Sequence, residues 1–408
     1  MNGPKWFPTM LLISIFQILS FFQVIVVDGE VNTVVLGVFI VFTVIEWVYS
    51  ITSTIILKKS SLALEFIAFF LTGISLVIVS TISTSLLVKQ FITVVAGILA
   101  YIGMLFIIAN VDRAEKFRVP MAIGALILLV ITLIFAKNIN GAYNWIVIGG
   151  ENGISIQSSE LVKVAFIFVG AATLEKLQST KNLTAYAIFS VACIGLLFLM
   201  RDLGTALIFF FTFIVLAFMR SGDIRTIIFL CMGAAMAAGL VVLIRSDYVM
   251  QRFAVYRHVW EFADAKGYQQ TRLLTYSVSG GLLGLGIGNG KLRQIFAATT
   301  DLVFGVVCEE WGLIIAFLIA LSFVFIFIHS LRCANGSRSA FYSIASCAAG
   351  GLLLFQAALN IFGVTDFLPL TGVTLPFVSR GGSSTISCWA LLAFIKAADN
   401  RTWAGGKR

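Results

Sequence analysis

The sequence predicts an all-α polytopic membrane protein of about twelve transmembrane helices with re-entrant outer loops, and three observations carry that prediction. Hydrophobic residues make up 60% of the 408 positions and charged residues only 12%, against about 25% charged in a soluble domain. Mean hydropathy is +1.02. The apolar residues run unbroken over helix-spanning lengths, whereas a transmembrane barrel needs alternation with period two.

Apolar runs bounded by charge, glycine and proline place spans near 9–27, 33–57, 62–86, 90–110, 119–136, 158–177, 183–200, 203–219, 223–244, 302–329, 340–363 and 381–398. The first, Thr9 to Val27, is long enough to span and has no small-residue cleavage pattern after it, so it is expected to remain as a helix. With the N-terminus inside, Lys58 and Lys59, then Arg113, Lys116 and Arg118, then Lys176 and Lys181 fall on the cytoplasmic side. Arg220 and Arg225, Arg332 and Arg338, and finally Arg401, Lys407 and Arg408 follow them. Every short inside loop is then basic, as the positive-inside rule requires, and an even number of spans leaves both termini cytoplasmic.

Side-chain inventory excludes several chemistries. The six cysteines include no Cys-x-x-Cys pair, and His258 and His329 are the only histidines. Zinc sites and disulfide frameworks are therefore not indicated, no metal ligands are assigned, and catalysis has to rest on carboxylates, Lys or Arg. No soluble domain is expected at either end; the bilayer is the expected environment, and no nucleic-acid partner is expected.

One outer segment runs against the topology rule. Residues 245–300 carry Arg245, Arg252, Arg257, Arg272, Arg293, Lys266 and Lys291 against Asp247, Glu261 and Asp264. Two readings stay open: a solvated loop gripping anionic headgroups, or a pocket for a phosphorylated ligand at the outer leaflet. The glycine run Gly280 to Gly290 fits no G-x-G-x-x-G register and has no βαβ surroundings, so a hinge or tight packing turn is expected there.

Thr299 or Thr300 is expected to cap a long helix with Asp301 in its first turn, at the outer membrane surface. Glu309 and Glu310 would lie roughly 12 Å deeper. Ionisable groups at that depth need partners. Lys163 stands one turn after Glu160 and is the candidate partner for it and for these acids, whereas the buried Glu46 receives no assignment. Asn360 to Ser384 mixes prolines, glycines and hydroxyls between two spans, which fits a re-entrant loop whose Ser379-Arg380-Gly-Gly-Ser383-Ser384 end caps the last helix and offers donors to an anion.

Together these segments resemble the SEDS family (shape, elongation, division and sporulation), the FtsW/RodA/SpoVE type. Asn140-Gly-Ala-Tyr-Asn-Trp145 with Gln157-Ser-Ser-Glu160-Leu-Val-Lys163 is similar to its Gly-Ala-Arg-Arg-Trp and Gln-Pro-Ser-Glu-x-x-Lys pair. Asp202-Leu-Gly-Thr205 resembles Pro-Asp-Leu-Gly-Thr, and Ser279 through Gly290 resembles the glycine run. Thr300-Asp301 through Glu309-Glu310-x-Gly312 and the Pro369 to Ser384 loop resemble the remaining motifs.

The resemblance implies a peptidoglycan glycosyltransferase of the bacterial cytoplasmic membrane that polymerises lipid II at the outer face, with a class B penicillin-binding protein as partner. It implies a ten-helix core over 61–408, with a large extracellular loop at 245–300, and two extra helices in 1–60. It implies that Asp301 is the catalytic carboxylate. Substrate binding is expected at Lys163, Glu160, Arg201, Asp202, Thr205, Arg272, Ser279, Lys291, Ser379, Arg380, Ser383 and Ser384. A divalent cation, Mg or Mn, is a candidate to share the diphosphate charge, though no ligand cluster identifies one.

Departures from the family pattern are specific. Arg380 stands where Tyr is usual, Arg201 and Ser158 where Pro is usual, and Arg272 where Gln is common, while Tyr143-Asn144 replace a paired Arg-Arg. They suggest phosphate contacts moved to new positions. They equally suggest a weakly active division or sporulation scaffold, and a lipid II flippase remains the alternative among transporters.

Overall fold

A computed structural model describes residues 6–27, 30–57, 61–139, 142–148, 154–175, 180–225, 228, 231–233, 256–263 and 267–403. The expected span 223–244 falls largely outside the described residues, as do Lys58, Lys59, Asn140, Lys176, Arg245, Asp247, Arg252, Asp264, Lys266, Lys407 and Arg408. The helices of the first half are α1 (Phe7–Ile25), α2 (Thr33–Ile56), α3 (Ala63–Ser80), α4 (Thr84–Ile108), α5 (Val111–Phe135), α6 (Ser158–Glu175), α7 (Thr180–Leu199) and α8 (Leu203–Ser221). Those of the second half are α9 (Tyr268–Ser279), α10 (Val303–Glu310), α11 (Gly312–Asn335), α12 (Ala340–Val364), α13 (Gly382–Ala398) and α14 (Asn400–Trp403). Among the described residues, eight helices are long and apolar enough to cross a membrane, and α13 is a shorter apolar helix. The other expected spans coincide with these helices, so the chain is a multi-pass membrane protein.

Burial sorts the helices by role. Every residue of α13 from Ser387 to Ala398 is buried, which places it at the axis of the bundle. Trp389 at its middle packs against α4, where a side chain at Gly97 would meet the indole at 2.7 Å. In α2, by contrast, Val44, Val48, Ile51 and Ile55 form an exposed apolar stripe while Phe42, Glu46, Ser50 and Ser53 turn inward. Such a polarity suits a helix whose outer face meets lipid.

Three expectations need correction. The long helix after Asp301 is two helices, α10 and α11, broken at Gly312, whose φ is +80°. Asp301 precedes α10 in a turn, and the N-cap is Leu302 with no side-chain cap. The last helix likewise starts from Gly381 without a side-chain cap, because Ser383 and Ser384 are spent on other partners. The segment 137–157 also contains strand: β3 (Lys137–Ile139), β4 (Ala142–Ile148) and β5 (Ile154–Gln157) form a small antiparallel sheet, β1 (Val26–Val27) pairs with β2 (Glu30–Val31), and the other regular elements among the described residues are helices. The β-branched and aromatic run Tyr-Asn-Trp-Ile-Val-Ile in β4 favours that pairing.

The break at Gly312 follows from the glycine run. Residues 280–290 wrap the end of α10, with Leu285 and Gly286 donating from their amides to the carbonyls of Glu309 and Glu310, and Leu313 donating to Gly281. A Cβ at Gly280 would collide with the Cys308 carbonyl, and one at Gly284, where φ is +83°, with that of Glu310. The run is therefore a close-packed strap. Gly284→Ala is expected to cost about 1–3 kcal/mol through backbone strain and overpacking, measured as a lowered midpoint in thermal unfolding.

Several interior charged side chains have local partners, although both side-chain oxygens of the buried Glu310 lack one among the described residues. Lys163 Nζ lies 2.7 Å from Glu160 Oε1 and 2.8 Å from Gln356 Oε1, so it does not serve Glu309 or Glu310. Glu309 instead accepts from the backbone amides of Lys291 and Leu292 at 2.8 and 2.9 Å. Lys396 pairs with Glu65 at 2.6 Å, and Glu46 accepts from Gln17 Nε2 at 2.8 Å.

Candidate active site

Asp301 lies in the wall of a cavity of about 490 Å³ at the end of the bundle where α10 begins. Four stretches build the wall: Ile82 and Leu86 where α3 passes into α4, the β4–β5 sheet with the start of α8, residues 293–301, and the loop 371–384. The last of these dips into the bundle. Asn360 Nδ2 donates to Val373 O at 2.7 Å, and Gln356 Nε2 donates to Thr374 O at 2.9 Å. Gln356 lies eight residues before the end of α12, so the loop descends about 12 Å along that helix. Non-helical backbone at that depth is tolerated because protein donors satisfy it.

The same loop clamps the backbone that carries Asp301. Asn360 Nδ2 also donates to Asp301 O at 2.8 Å, Ser379 Oγ donates to Thr300 O at 2.6 Å, and the Arg380 amide donates to Thr299 O at 2.7 Å. Three successive carbonyls are thus held. Gly372, whose φ is +71°, lies beside the carboxylate: a Cβ there would be in ordinary contact, 3.6 Å from Asp301 Oδ2.

Cavity charge is dominated by guanidinium groups. Arg201, Arg293 and Arg380 line it, together with the carboxylates of Asp202 and Asp301. Arg201 adopts a left-handed φ of +61° and stacks over the Tyr143 ring at 5.7 Å. Burial pushes the Arg380 guanidinium below its ordinary pKa, although arginine keeps its charge in proteins. In the loop that follows α12, the Asp366 carboxyl is raised by burial despite the neighbouring Arg257.

The Asp202 carboxylate is held by the protein around it. Its Oδ1 caps α8 by accepting from the Thr205 amide at 3.1 Å, and its Oδ2 accepts from Asn144 Nδ2 at 2.8 Å and Gln157 Nε2 at 3.3 Å. No cluster of three carboxylate, His or Cys ligands occurs among the described residues. With Asp202 committed to three N–H donors, the donor set does not fit a resident divalent cation.

The family model described as cell cycle protein, of FtsW, RodA and SpoVE, matches residues 54–402. This chain belongs to the FtsW/RodA/SpoVE family. Stage V sporulation protein E of Bacillus subtilis (strain 168) is 31% identical over 310 residues, covering 72% of this chain and 82% of that protein. A probable peptidoglycan glycosyltransferase FtsW of Geobacter metallireducens is 30% identical over 359 residues, covering 81% and 92%. Among solved structures, a peptidoglycan synthase complex that coordinates polymerization and crosslinking has a TM-score of 0.71 at 24% identity, with 85% of this chain and 99% of that chain covered. The rod shape determining protein RodA of Thermus thermophilus has a TM-score of 0.59 at 25% identity, with 83% and 96% covered.

Within this family member, Asp301, Arg201, Asp202, Arg380, Ser383 and Ser384 of the nominated residues line the cavity. The others lie elsewhere. Glu160, Lys163, Thr205 and Ser379 are buried and do not line the cavity; Lys163 donates to Glu160, the Thr205 amide to Asp202, and Ser379 to Thr300 O. Arg272 is exposed and stacks over Tyr268 at 5.4 Å, Ser279 donates to Tyr276 O, and Lys291 points outward. The alignment with family motifs nominated these by sequence neighbourhood, but helix α9 and the glycine strap face them away. Gln356 and Asn360 were missed, although two amides one turn apart on an apolar helix form a polar stripe that could have revealed them.

Proposed function

We propose that this chain is a peptidoglycan glycosyltransferase that polymerises lipid II into β-1,4 glycan strands at the outer face of the membrane. The observation that carries the reading is a carboxylate, Asp301, fixed by a clamped backbone in a cavity whose other charges are mainly arginines. Asp301 accepts the proton of the sugar 4-hydroxyl of one lipid II as that oxygen bonds to the anomeric carbon of the growing chain. The bond from that carbon to the diphosphate breaks with inversion, and undecaprenyl diphosphate departs with the electron pair. Arg201, Arg293 and Arg380 stabilise the charge that develops on it.

Tyr143 and Asn144 then have roles other than phosphate contact: the ring supports Arg201 and the amide holds Asp202. This supports a relocation of the cationic contacts to Arg201 and Arg380. A transpeptidase partner of the class B penicillin-binding type belongs to the proposal, as the family resemblance implies.

A lipid carrier would need a polar route through the bundle. On the axial helix α13, however, the eight residues Cys388 to Ile395 between Ser387 and Lys396 are apolar and buried. The deciding experiment supplies purified protein, with its partner, in vesicles containing lipid II. Glycan strands resolved on a gel support the synthase; movement of lipid II between leaflets without polymer overturns it.

Ser379→Ala provides a further check on the clamp. It deletes the bond to Thr300 O and the bond accepted from the Leu375 amide at 2.8 Å. Loosening the backbone under Asp301 is expected to lower kcat about tenfold with KM little changed, since small misplacements of a reacting group are costly. Steady-state polymerisation rates at varied lipid II would measure it.

A further inference from the structure

At the end of the bundle opposite Asp301, two concavities meet. One, of about 560 Å³, is polar and lies among Ser61, His329, Arg332, Cys333, Asp399 and Arg401. The other, of about 240 Å³, is an apolar groove between Ala63, Leu64 and Ile67 of α3 and Phe325 and Ile328 of α11. They share His329 and Arg332. Polarity therefore follows depth: Ile328 and Phe325 lie one and two turns inward from Arg332, or about 6 and 10 Å.

Charge at the polar end is positive. Arg401 pairs with Asp399 at 2.9 Å but keeps a side chain 56% exposed. Those bonds hold the Asp399 carboxyl below its ordinary pKa, against the upward push of burial. Arg332 makes no ion pair among the described residues. Two residues after Arg401, the Trp403 ring and that of Tyr342 hold Arg338 at 4.6 and 4.7 Å, and Trp403 Nε1 donates to Ala397 O at 2.8 Å.

We propose that these joined concavities bind an anionic glycerophospholipid, with its phosphate between Arg332 and Arg401 and one acyl chain in the α3–α11 groove. The positive-inside rule assigns this end to the cytoplasmic leaflet. A headgroup at the helix ends with its chain running inward matches the orientation of a leaflet lipid, and the unpaired guanidinium selects for net negative charge. A free phosphate would use only the polar half. The site is independent of the glycosyltransferase reading.

Native mass spectrometry of the purified full chain tests this, with phosphatidylglycerol, phosphatidylcholine or inorganic phosphate added to the detergent. Phosphatidylglycerol should be retained about fivefold over phosphatidylcholine, and Arg332→Gln should erase that preference, the Boltzmann equivalent of roughly 1 kcal/mol for a basic side chain at an anionic surface. Ala63→Trp, at a second exposed position, fills the groove and should lower phosphatidylglycerol retention while leaving inorganic phosphate unaffected. Equal retention of the two lipids, or retention unchanged in both variants, overturns the proposal. Inorganic phosphate competing fully with phosphatidylglycerol, with Ala63→Trp silent, assigns the cavity to a free anion and also overturns it.

Discussion

Asp301→Asn is expected to abolish glycan polymer while leaving the protein folded and able to bind lipid II. The substitution keeps size but replaces one carboxylate oxygen with an NH2 donor and so removes the proton acceptor, and a positioned general base contributes roughly 10²–10⁴-fold in rate. Asparagine leaves in place the bonds by which Asn360, Ser379 and the Arg380 amide grip the carbonyls of residues 299–301. The measurement is polymer length and yield by gel, beside a melting curve and a lipid II binding isotherm on the same preparation. Polymer at the wild-type rate removes Asp301 from the mechanism. Loss of polymer together with loss of lipid II binding would instead make it a substrate ligand.

Lys163→Met should produce the largest loss of stability. The Lys163 and Glu160 side chains are 1% and 4% exposed, and methionine of similar length would leave the carboxylate with only the Ser387 hydroxyl at 3.0 Å among the bonds described here. Stranding one member of a buried ion pair costs about 3–5 kcal/mol. The cost should fall sharply in the double variant Lys163→Met with Glu160→Gln, since both charges are then gone. A double-mutant cycle in thermal unfolding measures the coupling. Activity should drop with stability, because Lys163 also holds Gln356, whose amide carries Thr374 of the cavity wall. A single variant that melts normally but shows a raised KM would mean that Lys163 contacts substrate.

These two cases mark how far residue types and spacing reach. The carboxylate at 301 and the pair at 160 and 163 are visible in the chain as acids and a lysine where apolar residues would be cheaper. Their different environments are not. Asp301 lines a cavity and Lys163 lies behind one because a loop 70 residues further on descends along α12, and local spacing carries no information about that descent. Arg272 and Lys291 failed to reach the cavity for the same reason: a basic segment announces its charge, but helix α9 and the glycine strap set its direction.

What the sequence determined by itself was solvent and periphery: the long apolar runs require lipid, the basic loops bias orientation, and the ordered motifs mark the family. Helix existence follows because every backbone group in hydrocarbon must be satisfied within its own segment. Tertiary structure decided the break at Gly312, the commitment of Asp202 to three donors, and the gathering of Arg201, Arg293 and Arg380 around Asp301. Each of those depends on close approach between segments far apart in the chain, where steric fit and hydrogen-bond geometry select one arrangement among many that the same residue pattern would allow.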